Sequence, residues 1–169
     1  MKQTLQSILT ASDAALFPDI SKNCSQNSVL CITESDVFRF NEEIAVFLQD
    51  PDFQNRLCKQ DFVDVLFVLK GNCTCKFYKT DLTISPESVF LSRYSFCMIP
   101  HQVIHSFSPD QDCQILHIFF KLDSLRSHYS DLISANNTLL LFCSNMLYQS
   151  HYWNYLYFSV SYTDKLDTL

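Results

Sequence analysis

The chain has 169 residues, with 12 Lys and Arg against 18 Asp and Glu, a formal net charge of −6, 47% hydrophobic residues and 15 Phe. That is enough apolar material for one compact soluble domain, and it excludes a disordered acidic tail. A pI near 5.2 and the absence of any run of consecutive Lys or Arg leave no electrostatic footprint for nucleic acid or anionic membranes.

No apolar run approaches the roughly 18 residues of a membrane span, and the opening MKQTLQSILTASD lacks the apolar centre of a secretory signal. A cytoplasmic location without membrane contact is expected. The eight Cys, at 24, 31, 58, 73, 75, 97, 113 and 143, then read as reduced thiols, and those inside apolar strand patterns read as core.

Leu5, Ile8, Leu9, Ala15 and Leu16 recur near the 3.6-residue period and predict an N-terminal helix, closed at Phe17-Pro18 and followed by a polar loop. From Val29 the texture becomes short β-rich runs: VLCIT, VFRF, IAVFL, then 62–69, 73–78, 89–91, 96–99 and 113–120. Many short strands with no helix between them predict an antiparallel sandwich or barrel. With a single Gly, Gly71, its tight turns fall to Asn and Asp.

Ser124 is the expected cap of a helix carrying Leu125, Tyr129, Leu132 and Ile133, which Asn136-Asn137 ends. A second helix presents Leu139, Phe142, Cys143, Met146 and Leu147 as one stripe, and 155–160 returns to strand character. The organisation expected is an N-terminal helix and arm over 1–30, a β-barrel over 31–122, and a helical pair with a returning strand over 123–169.

The segment DFVDVLFVLKG, 61–71, a polar lead into an apolar strand with one acidic residue and a terminal Gly, resembles the first characteristic strand of AraC-type bacterial transcription regulators, H-D-F-x-E-L-x-Y-V-L-x-G. The segment LSRYSFCMIPHQVIHSF, 91–107, is similar to the pattern L-x-x-G-D-x-x-x-I-x-P-x-x-x-H of the same proteins, with Tyr94-Ser95 where Gly-Asp is usual. The resemblance spans roughly 35–160. It implies a mainly β, cupin-like antiparallel barrel of jelly-roll type with flanking helices. It also implies a sensory or dimerising role beside a C-terminal helix-turn-helix domain, for which nothing in these 169 residues matches.

Aligning on Gly71 and His105 places Cys58, Gln60, Asp64 and His105 where cupin enzymes hold a metal. Period-two alternation sends 58, 60, 62 and 64 to one strand face, so these side chains can point together into the barrel. A neutral amide is a poor ligand and the paired imidazoles are missing, so neither a metal nor another cofactor is expected. Cys58, Asp64 and His105 are the residues that could still bind zinc, with His101 and Cys73-x-Cys75 as alternatives. The plainer reading has His105 capping a turn or packing in the barrel, and the two Cys in the core.

Asp64 within an apolar strand is expensive unless paired or wet. Either it lines a ligand cavity with Gln60 and His105, or it sits at a rim, paired with a Lys or Arg56. No G-x-S-x-G elbow or phosphate-cradling Gly loop is present, and no nucleophile with base and orienter stands out, so catalysis is not expected. The candidate ligand residues are Gln60, Phe62, Asp64, Leu66 and His105.

The stripe and the aromatic stretch after it make Leu139, Phe142, Met146, Leu147 and Trp153 interface candidates, with core packing the alternative fate for the stripe. The partners expected are a small-molecule effector and a second copy of the chain, with DNA reached only through a further domain. Two rivals stand beside this reading: a stand-alone metal-dependent cupin enzyme, and a ligand-free interaction module whose barrel is filled by its own side chains.

Overall fold

A computed structural model describes residues 29–39, 41–49, 56–79, 82, 84–132, 138–149 and 154–159. The expected N-terminal helix, Ile133, the Asn136-Asn137 break and Trp153 lie outside the described residues.

The chain is mainly β: two five-stranded sheets face each other in a cupin-like sandwich of jelly-roll type. The first sheet has the order β1 (Leu30–Ile32), β3 (Cys58–Gln60), β8 (Ile104–Pro109), β5 (Cys73–Tyr78), β6 (Glu87–Leu91). The second has β10 (Leu156–Phe158), β7 (Phe96–Ile99), β4 (Val63–Lys70), β9 (Gln114–Phe120), β2 (Ile44–Gln49). Neighbours pair antiparallel except β1 with β3, which run parallel.

Strict alternation sends Cys73, Cys75 and Phe77 of β5, Leu66 and Val68 of β4, and Ile115 and Phe119 of β9 inward. Together with Phe62, Phe107 and Leu91 they form the central core. Aromatic rings fill the space between the two sheets there: Phe107 of β8 lies 5.5 Å from His117 of β9, and Phe62, at the crossing, lies 4.7 Å from Phe119, which lies 5.2 Å from Phe47.

The outer face of the second sheet is covered by α2 (Leu122–Leu132) and α3 (Thr138–Tyr148). Val63 points outward from β4 into a second core with Phe142, Met146 and Leu147 of α3. The helical stripe therefore packs within the chain: those three residues are buried, and Leu139 stays exposed at the end of the helix.

Four local expectations are corrected. The run VFRF does not open as a strand: Glu34–Val37 form a single helical turn, α1. The Asp36 carboxylate accepts from the Thr33 N–H at 2.8 Å and its hydroxyl at 2.6 Å, a local bond that outweighs the β propensity of Val37. Ser124 does not cap α2, which begins at Leu122 and holds Ser124 in its first turn. Residues 58–64 are not one strand, because the chain bends at Asp61-Phe62 and crosses from the first sheet to the second.

The fourth correction concerns turns and is partial. Among the described residues Asp110 and Asp112 do take the turn from β8 to β9, closed by the Cys113 N–H on the Asp110 carbonyl at 3.0 Å. Of the non-glycine residues with left-handed backbone there, Asn41, Tyr94 and Gln102, only Asn41 is of the expected type. Tyr94 (φ 68°) fills the place of the usual glycine. Its N–H donates to the Val68 carbonyl at 2.8 Å, and its ring lies 6.5 Å from Phe67 and under the Arg93 guanidinium. The ring's contacts with Arg93 and Phe67 offset a backbone cost of about 1–2 kcal/mol.

Candidate functional site

The crossing at Asp61-Phe62 decides which side chains reach the interior. Cys58 and Gln60 point inward from the first sheet, and Asp64 and Leu66 inward from the second, with Phe62 between them at the bend; all five are buried. His105 joins them from β8, directly opposite Cys58. The structure thus brings Gln60, Phe62, Asp64, Leu66 and His105 to one interior. Phe62 and Leu66 act there as core, Phe62 also meeting Phe38 at 5.6 Å between ring centres.

His105 is fixed by its two ring nitrogens. Nδ1 donates to the Val103 carbonyl at 2.9 Å, so Nε2 is left as the acceptor for the Cys58 thiol at 3.3 Å. Burial lowers the His105 pKa, partly opposed by the bond to Val103 and the charge of Asp64. Burial, with the Asp64 charge adding, pushes the Cys58 thiol far up. The pair is a neutral imidazole and a protonated thiol, not an activated nucleophile.

Asp64 is neither at a rim nor paired with Arg56 or a Lys. Its carboxylate accepts from His117 Nδ1 at 2.9 and 3.1 Å, and both residues are buried. His117 Nε2 in turn meets Gln49 Oε1. Three strands, β2, β9 and β4, thereby carry one polar line, Gln49–His117–Asp64, across the inner face of the second sheet. Phe107, 4.9 Å from the His105 ring and 5.5 Å from His117, stands between this line and the Cys58–His105 pair.

His117 and Gln49 were not singled out from the sequence, although alternation along QILHIFF puts His117 on the same face as Ile115 and Phe119. That signal becomes readable only once Asp64 is known to need an interior partner.

A polar orphan adjoins the site. Gln60 Nε2 is buried without a hydrogen-bond partner, and so are Asp61 Oδ1 and His101 Nδ1 beside it. Gln102 N–H donates to the Gln60 carbonyl at 2.6 Å, tying the turn that carries His101 to the bend that carries Asp61.

Among the described residues no group of three or more His, Cys, Asp or Glu is arranged to hold a metal ion. Cys58 and His105 are spent on each other and Asp64 on His117. Cys73 and Cys75 are buried core thiols, Cys75 held protonated chiefly by its bond to Cys73 and then by burial. Among the described residues no helix is long and apolar enough to cross a membrane.

No family model and no curated protein sequence matches the chain. Solved structures do. Hydroxypropylphosphonic acid epoxidase from S. wedmorenis matches at 17% identity over 46% of this chain and 43% of its own, with a TM-score of 0.36. A mutant of Bacillus subtilis oxalate decarboxylase matches at 14% identity over 57% of this chain and 29% of its own, with a TM-score of 0.39. The 7S globulin of Momordica charantia matches at 19% identity over 46% of this chain and 23% of its own, with a TM-score of 0.34. The chain spans less than half the length of each. The expectation that it is not an enzyme is withdrawn, because two of these three similar structures are enzymes, an epoxidase and a decarboxylase.

Proposed function

We propose that the chain is a small-molecule sensor, the effector-binding domain of an AraC-type transcription regulator, working in the cytoplasm on a DNA-binding domain outside these residues. The observation that carries this reading is Gln60 Nε2, a buried amide nitrogen with no partner in an interior that already holds Asp64, His105 and His117. Buried donors are satisfied in stable folds, so an orphan donor beside ionisable groups marks a place for a bound acceptor. The motifs at 61–71 and 91–107 support the regulator part of the reading. An effector here would favour one arrangement of the segments flanking β3 and β8 and so bias how a tethered domain is presented.

The test is ligand-observed NMR of the purified chain with a pool of small polar metabolites, repeated with Asp64→Ala. A binder lost in the folded variant supports the reading; a pool without any binder overturns it. Self-association belongs to the same proposal and is supported by Leu139, Leu141 and Tyr148, exposed on α3. A mass independent of concentration in sedimentation would count against it.

A second reading, catalysis at the same place, is favoured by the His117–Asp64 pair, a carboxylate orienting an imidazole that would serve as general base where a substrate displaces Gln49 from Nε2. Turnover of the bound compound by the chain but not by His117→Ala would establish it.

A further inference from the structure

All three orphaned buried polar side-chain atoms among the described residues fall at one seam. The bend Asp61-Phe62 carries the chain from the first sheet to the second, and the turn Pro100–Val103 carries it back from β7 to β8. The 2.6 Å bond from Gln102 N–H to the Gln60 carbonyl fastens the two crossings side by side. Gln60 is buried, whereas Asp61 and His101 are half-buried, so the seam runs from the interior to the surface. His101 lies within electrostatic reach of both Asp61 and Arg126 of α2.

From this juxtaposition we propose that the seam binds the ammonium and carboxylate groups of a free α-amino acid. The inference rests on reading the fold as a small-molecule sensor, and it names the ligand class and the place where that ligand is held.

The complementarity is chemical. Asp61 Oδ1 is an unmet acceptor carrying negative charge and suits an ammonium group. Gln60 Nε2 is an unmet donor and suits a carboxylate oxygen. The Arg126 guanidinium uses N–H groups on Asp123 at 3.2 Å and the Leu147 carbonyl at 3.4 Å, and its fork has further donors for a carboxylate. His101, kept neutral by burial and by Arg126 against the pull of Asp61, offers Nδ1 to either group. A lone anion would meet Asp61 and a lone cation would meet Arg126, so a zwitterion is the species that satisfies both.

The test is thermal unfolding of the whole chain with each standard L-amino acid supplied singly, and with glycerol as a hydroxyl control. One or a few amino acids are expected to raise the midpoint by about 2–4 °C at saturation. Asp61→Asn, which keeps the shape and removes the charge, should abolish that rise, and Arg126→Gln should raise the concentration needed for it. Three results overturn the proposal: no amino acid shifts the midpoint, glycerol shifts it equally, or the rise survives in Asp61→Asn. If another metabolite binds while no amino acid does, the seam inference fails and the sensor reading stands. If an amino acid binds, survives Asp61→Asn and is lost in Asp64→Ala, the ligand belongs to the interior instead.

Discussion

Asp64 of β4 and His117 of β9 meet inside the sandwich, carboxylate to ring Nδ1 at 2.9 Å, with both side chains shut off from solvent. Replacing either alone strands the other, and Asp64→Ala or His117→Leu is expected to cost about 3–5 kcal/mol. The double change Asp64→Leu with His117→Leu should cost much less, since neither member of the buried pair is left facing an apolar side chain and only the half-buried Gln49 loses a bond. Urea unfolding of the two single variants and the double variant measures the difference, and additive losses would refute the coupling.

Gly71 (φ +70°) is the turn residue for which the fold has no substitute. A Cβ there would stand 2.8 Å from the Cys113 Cα, a backbone atom that cannot swing away. Gly71→Ala should destabilise by more than about 1 kcal/mol, combining the left-handed backbone with the clash. Tyr94→Gly relaxes its own backbone but loses ring packing, so its net effect should be smaller. Thermal midpoints of the two variants compare them directly.

Stability should fall on both sides of neutral pH. His105 has its folded pKa lowered by burial, so the unfolded chain takes up a proton near 6.5 that the folded chain refuses, and stability declines as pH drops through that value. The thiols act in the opposite direction. Cys58 and Cys97 are raised by burial, and Cys113 is pushed up by burial to about 11, so above the ordinary value of 9.0 the unfolded chain loses protons that the folded chain keeps. Denaturant midpoints across pH should form a plateau between these limits. His105→Gln is expected to flatten the acid side.

Thiol reactivity should rank by exposure. Among the seven cysteines of the described residues none is in a disulfide; Cys31 is exposed, whereas Cys58, Cys73, Cys75 and Cys97 are buried. Under native conditions a maleimide should modify Cys31 well before these four, which react only as the fold opens. Mass spectrometry of digested protein over time reads the order, and early labelling of Cys58 would contradict the neutral pair it forms with His105.

Met146 is fully buried between α3 and Val63 of β4. Met146→Ala should cost about 2–5 kcal/mol, mostly by loosening the helices from the outer face of the sheet. Amide exchange should then rise in α2 and α3 more than in β4 and β9.

Period-two patterning made most of the strands legible, because burial on one face forces alternation. β5 and β7 appear within the expected bounds, and Cys58, Gln60 and Asp64 turn inward as the alternation requires, whereas His105 turns inward from β8, a strand the pattern did not announce. Hydrogen bonds that cross the fold were not legible. Nothing near Asp64 in sequence names His117, 53 residues away, and nothing near Gln60 announces that the turn at Gln102 will fasten to it. The helical turn at Glu34–Val37 was missed for a local reason: one Asp side chain bonding two groups of Thr33 outbids the apolar pattern around it. The bend at Asp61-Phe62 was missed because a single alternation was carried through 58–64, whereas Phe62, Val63 and Asp64 are buried in succession where the chain changes sheets.

The placement of β1 and β10 has a mechanical consequence. Each is three residues long, each lies at the outer edge of its own sheet, and they are the first and last strands along the described chain. A pull applied through the two ends would load these two short strands before any other, and either could peel away while the aromatic centre between the sheets stayed closed. Tension from a neighbouring domain would therefore be felt first at Leu30–Ile32 and Leu156–Phe158. The parallel partner of the first is β3, the strand that carries Cys58 and Gln60.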